Sequence, residues 1–301
     1  MTTLTFKHDG LQARCVVSYS PNDASRFIEG LTNSDFRGYN PMSASADLNW
    51  IGRNDLAGQG ITERRQVAER LGEYVENDHK QIRKSSNAIQ SLIETIDLSG
   101  IKRMLKWNDS RGRVDAMRML NGDSYFRRTV RKSKAPVEAI ALVVPTGANC
   151  DISADVIFAR TAVALAGAEL LTDYGFTVEV WGYAFSRGCY HDRDYKNALA
   201  CIRLKNADQR LNEVLASSGG SAWFFRSGIF GMWASQGDAS CGLGSAVNLT
   251  GEQAEYLREC INIPDAHVMK HGSGARTVEQ AIKDGIEDLK EALFKWTGGS
   301  A

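Results

Sequence analysis

Hydrophobic patterning is strongest in the second half of the chain. The run AIALVV (139–144) is almost continuously apolar, as expected of a strand covered on both faces. A polar loop follows. SADVIFARTAVALAGAELLTDYG (153–175) is then rich in Ala and Leu, starts polar and stops at Gly175, which predicts a helix apolar on nearly every side. FTVEVWGYAF (176–185) predicts a second strand parallel to the first, and the three elements form a strand–helix–strand unit. NALACIRLK (197–205) predicts a third strand, reached through the polar tip RGCYHDRDYK. Helical stretches at ADQRLNEVLAS, SAWFFRSGIFGMWAS, GEQAEYLREC and TVEQAIKDGIEDLKEALFKW continue the alternation, with SAVNLT and INIPDAHVMK between them as extended segments. Residues 137–301 therefore read as a mainly parallel, three-layer α/β domain.

The first half is patterned differently. LQARCVVSYS reads as a strand and DASRFIEGL as a short helix capped by Asp23. Thr62 caps a stretch in which Val67, Leu71 and Val75 recur at helical spacing. Ile82, Ile89, Ile93 and Ile96 carry a second stripe past a basic break at HKQIRK, which predicts two antiparallel helices over 62–97. NDSRG is a turn and VDAMRML one or two helical turns stopped by Asn121-Gly122. Pro136 marks the expected boundary between a mixed, mostly helical basic region (1–136) and the α/β domain (137–301).

Charge sharpens that division. The 301 residues carry 36 Lys or Arg and 36 Asp or Glu, for a net charge of zero, yet Lys80 to Lys134 holds fourteen bases against five acids. A basic surface on an otherwise acidic protein is implied. Hydrophobic content of 43% and charge of 24% are those of a globular protein. The start MTTLTFKHDG has no basic region followed by an apolar run, and no apolar stretch approaches the roughly 20 residues that span a bilayer. Six scattered cysteines without a CxxC pair predict reduced thiols in a cytoplasm.

Several stretches carry candidate chemistry. Asp151, Ser153 and Asp155 follow the first buried strand and supply oxygen ligands suited to a hard cation. Six residues separate the strand from Asp151, and the same residues also suit a helix start, with Ser153 as cap and Asp155 complementing the dipole. HGSGART (271–277) could cradle a phosphate, but Thr277 and Gln280 have capping-box spacing. Cys189, His191 and Asp192 lie too close in sequence for a catalytic set and read as a solvated tip, so neither catalytic nor metal-binding residues nor a cofactor are assigned. Arg160, almost the only charge on the apolar stretch of its helix, and Glu179, the lone charge in its strand, are expected to pair. The aromatics of SAWFFRSGIFGMW are expected mostly in the core.

The basic stretch is the most informative feature. Lys102, Arg103, Lys106 and Trp107 cluster, followed by Arg111 and Arg113, then Tyr125, Phe126, Arg127, Arg128, Arg131, Lys132 and Lys134. Cations release the counterions condensed on a phosphate backbone, and aromatics stack on unpaired bases. Lys102, Arg103, Arg111, Arg113, Arg127 and Arg128 are accordingly expected to share one surface. The order WNDSRGRVDAMRMLNGDSYFRR, AIALVV and ISADVIFARTAVALAGAELLTDYGFTVEVWGY resembles an uncharacterised family of phage- and prophage-encoded proteins over roughly residues 107–185. That resemblance implies a degenerate von Willebrand A-like α/β domain, and its motifs, patterned rather than catalytic, carry no statement of activity. The expectation is a non-enzymatic, phage-encoded protein in the host cytoplasm that binds nucleic acid, single-stranded DNA above all, in transcription or replication. The alternative is a protein-interaction adaptor docking a polymerase, an ATPase or a virion component. No membrane partner is expected.

Overall fold

The computed structural model describes residues 2–8, 11–29, 53, 69–95, 103–108, 113–114, 126–131, 140–149, 151–173, 176–187, 197–207, 209, 211–236, 249–270 and 275–297. Their elements, in chain order, begin with β1 (Thr2–His8), β2 (Leu11–Ser18), α1 (Pro21–Glu29) and α2 (Glu76–Thr95). Next come β3 (Arg103–Asn108), β4 (Arg113–Val114), β5 (Phe126–Arg131), β6 (Ile140–Pro145), α3 (Ala154–Asp173), β7 (Val178–Ser186) and β8 (Asn197–Lys205). The last are α4 (Glu213–Gly219), α5 (Ala222–Phe224), a π-helical turn (Phe225–Ile229), α6 (Phe230–Ser235), α7 (Gly251–Ile261), β9 (His267–Val268) and α8 (Val278–Thr297).

Six strands form one mixed sheet in the order β1-β2-β8-β7-β6-β9. β6 and β7 are neighbours and parallel, with Ile140 opposite Val178 and Val144 opposite Gly182, as the apolar runs predict. β9 and β6 are also parallel, as are β2 and β8. β8 runs antiparallel to β7, the antiparallel step within the expected mainly parallel block. The reason is length: ten residues separate Ser186 from Asn197, whereas a parallel return needs a crossover of a dozen or more.

Alternation along each strand feeds two cores. Ile140, Leu142 and Val144 of β6 join Val178, Val180 and Ala184 of β7 in the larger cluster. Ala141 and Val143 join Trp181, Tyr183 and Phe185 in the smaller one, over which α7 places Tyr256, Leu257, Cys260 and Ile261. α3 is buried along almost its whole circumference, from Val156 through Ala168. It packs on β6 and β7 and against α2 and α8. The aromatics Trp223, Phe224, Phe225, Phe230 and Trp233 are all buried in the larger cluster, as expected. They occupy one helical run that widens to a π-turn at Phe225–Ile229.

Residues from both sides of position 136 share this sheet and core. β2 pairs with β8 from Ala13↔Asn197 to Ser18↔Ile202, and Val16, Ala24, Ile28, Ile82 and Ile89 belong to the larger cluster. The core therefore does not divide at the expected boundary. Two local expectations also change. α1 starts at Pro21, so its cap is Ser20, whose Oγ accepts from the Asp23 amide at 3.1 Å. The basic residues 79–84 lie inside α2 rather than breaking it, and the chain turns earlier, at Gly72 with φ 86°. The segment before that turn, 54–68, lies outside the described residues.

The contact between α1 and α4 yields a test of this shared core. A Cβ on Gly219 would sit 2.7 Å and 2.9 Å from the ring carbons of Pro21, a group that cannot swing away. Gly→Ala inside a helix ordinarily stabilises. Gly219→Ala is instead expected to lower stability by roughly 1–3 kcal/mol through overpacking, measured by urea unfolding. A neutral or stabilising change would mean that α1 does not pack there.

Candidate functional site

The described residues of the basic stretch, 103–108, 113–114 and 126–131, fold as strands, while the expected turn NDSRG and the expected helical turns of VDAMRML lie, apart from Asn108 and Val114, outside the described residues. β3, β5 and β4 make a separate antiparallel sheet in that order. Its strands are rich in Trp, Phe, Val and Thr, which favour a pleated surface, and the interleaved Arg and Lys mask the two-residue period. Arg103 lies opposite Arg131, Trp107 opposite Arg127, and Arg113 opposite Arg127 on the other side. Opposed residues share a face and successive ones alternate. One face thus takes the positions Arg103, Leu105, Trp107, Arg113, Arg127, Thr129 and Arg131. The other takes Lys106 and Arg128 with Met104, Val114, Phe126 and Val130. Arg127 and Arg128 cannot share a face, because they are neighbours in one strand. Lys102, Arg111, Tyr125, Lys132 and Lys134 lie outside the described residues.

The loop after β6 serves the helix that follows it. Ser153 caps α3: its Oγ accepts from the Val156 amide at 3.4 Å and its carbonyl from the Ile157 amide at 3.2 Å. Asp155 accepts from Asn77 Nδ2 at 2.7 Å. Asp151 is exposed and bound to Arg276, and that hydrogen bond, with the guanidinium charge behind it, holds the carboxyl below its ordinary range. The fully buried Arg226 donates to the carbonyls of Asn149 (3.0 Å) and Ile152 (2.8 Å), fixing the loop from below. Thr277 caps α8 through the Gln280 amide at 3.2 Å, while the Gln280 side chain turns to Asp284 instead of closing a capping box. Residues 271–274 and the tip bearing Cys189, His191 and Asp192 lie outside the described residues.

Arg160 does not pair with Glu179. It reaches α8, where it donates to Asp284 at 3.2 Å, lies 3.8 Å from Asp288 and also donates to the Lys270 carbonyl. Burial pushes its guanidinium down and the Asp288 carboxyl up, while the two acids pull Arg160 back toward its charged form. Glu179 instead accepts from Trp181 Nε1 at 3.0 Å and pairs with Arg203 at 3.5 Å. Arg203 in turn lies over the Tyr19 ring, 5.3 Å from its centroid. The thiols Cys15, Cys201 and Cys260 are buried and unbridged, and burial raises Cys15 well above its ordinary value.

A polar cluster that no sequence motif marks lies at the start of α2. His79 Nδ1 is hydrogen-bonded to Glu213 Oε1, and the ring stacks on Tyr74 at 4.2 Å. Arg53 pairs with Glu73 at 2.7 Å and covers the Trp223 ring at 5.0 Å. Asp78 is 7% exposed and is pushed up to about 7 by burial and by the charge of Asp155, against the pull of Arg53. Polar residues at 78, 81 and 85 follow the spacing of Ile82 and Ile89, and that spacing is the signal the sequence carries for them. Among the described residues no three His, Cys, Asp or Glu are grouped to hold a metal ion, and no helix is long and apolar enough to cross a membrane.

A mixed α/β core bearing a separate cationic antiparallel sheet is the class this geometry defines. The chain belongs to a family described as a domain of unknown function (DUF7192), which matches residues 16–284. That span crosses position 136, in keeping with the shared core. No curated protein and no solved structure matches the chain.

Two outcomes are expected here. Arg160→Met should cost about 3 kcal/mol in urea unfolding, because buried Asp288 loses its buried cation and keeps only the exposed Lys270 ammonium, 3.7 Å away; combined with Asp288→Asn, the loss should be less than the sum of the two. Added magnesium should leave the melting temperatures of wild type and Asp151→Ala alike. A magnesium-dependent rise that the substitution abolishes would establish a cation site at Asp151.

Proposed function

We propose that this protein is a non-enzymatic nucleic-acid-binding accessory protein that engages single strands through the β3-β5-β4 sheet. The supporting observation is the register, in which Trp107, Arg127 and Arg113 form one row across three strands and Arg103 and Arg131 form a second row on the same face. With strands rising about 3.4 Å per residue, the rows stand roughly 13 Å apart. A face with cations in both rows and an aromatic beside them in one combines the two elements of sequence-tolerant single-strand binding: counterion release and base stacking. The phage origin, the role in transcription or replication and the von Willebrand A-like kinship of the larger sheet belong to the same proposal.

Binding to oligo-dT, measured across a salt series, tests this reading. Replacing Arg103, Arg113, Arg127 or Arg131 by Ala should flatten the dependence of log K on log salt by roughly 0.7 for each phosphate left without its cation. Trp107→Ala should cost about 1–3 kcal/mol with little change in slope. Lys106→Ala and Arg128→Ala, on the opposite face, should leave the slope unchanged. Absence of binding to single- or double-stranded DNA or RNA at low salt would reject the proposal in favour of a protein-interaction adaptor.

A further inference from the structure

The face that α2 turns inward is polar over its first turns. Asp78, Gln81, Ile82, Ser85 and Ile89 follow one another at helical spacing, and all are buried. Asp78 Oδ2, Gln81 Oε1 and Ser85 Oγ have no hydrogen-bond partner among the described residues. Orphaned polar groups weaken docking, so the Ile89 end of α2 is held more firmly than the Asp78 end.

The charges around Asp78 make its protonation matter. From α3, Asp155 approaches, tied to the neighbouring Asn77. Among the described residues Arg53 is the cation acting on the carboxyl, and its guanidinium also pairs with Glu73 and covers Trp223. From α4, Glu213 is engaged by His79, and from α8, Glu279 is engaged by Lys84 at 2.8 Å. On α2 itself, Glu76 pairs with Lys80 at 2.9 Å. The helix N-terminus favours a carboxylate at Asp78, but burial beside a second carboxylate outweighs it.

We propose that docking of the first turns of α2 onto α3 is gated by a single proton on the Asp78 carboxyl. The neutral acid fits the seam between the helices. Once the proton leaves to solvent, the carboxylate is stranded beside Asp155, and the first turns of α2 open toward water. Because the docked carboxyl titrates near 7 and a free one near 3.8, docking is strongest below about pH 4. It weakens as pH rises to about 7 and is level above that. This gate stands independently of nucleic-acid binding.

Hydrogen exchange followed by mass spectrometry on the full chain, corrected for intrinsic rates, tests the gate. In wild type, protection of amides 80–85 should fall roughly tenfold per pH unit between pH 5 and 7, then level off, while amides of α8 hold. Asp78→Asn should remain protected to pH 8 with no slope. A flat wild-type profile, an equal slope in Asp78→Asn, or a parallel loss in α8 overturns the gate. If Asp78→Asn does not fold, Asp155→Asn decides: levelling off at lower pH supports the gate, and an unchanged profile overturns it.

Discussion

A helix with no polar side has to be enclosed, and α3 imposes that requirement on the rest of the molecule. Its residues from Val156 through Ala168 are buried all round, so the sheet alone cannot cover it. β6 and β7 close one side, while α2 and α8 close others. The one cation placed within this apolar length, Arg160, is neutralised by acids from α8, which joins packing and charge compensation in a single contact. Small residues permit the close approach: a Cβ on Gly167 would lie 2.7 Å from Leu289.

Legibility in the sequence follows local pattern. β6, α3 and β7 announce themselves through continuous apolar runs with clear ends, and the Ser153 cap is readable because capping is a contact between near neighbours. Partnerships over distance are not readable. Arg160 is the one charge in the apolar length of α3 and Glu179 the lone charge of β7, yet each is satisfied elsewhere, since pairing depends on which elements abut. The antiparallel β7–β8 pair has its signal in the polar ten-residue link, too short for a parallel crossover.

In the candidate site the reverse holds. Composition marks the residues, but charge conceals the strands, and only the register separates Arg127 from Arg128. The buried polar seam of α2 is hidden because Asp78, Gln81 and Ser85 look like solvated positions until α3 is laid against them. Binary patterning treats a polar residue as exposed. It fails where polar groups are buried at a cost in stability, and such places are where proteins respond to their surroundings.

The pairing of β2 with β8 also governs how the chain can be made. Ala13 meets Asn197, so a ribosome must add more than 180 residues before the hairpin of β1 and β2 finds its place in the sheet. Until then β2 offers an unpaired strand edge, the kind of surface that recruits other chains. Contacts of such sequence separation fold slowly because the loop must close before any stabilisation is gained. The nascent chain therefore carries an uncovered edge through much of its synthesis, so its yield should respond to translation speed and chaperone supply.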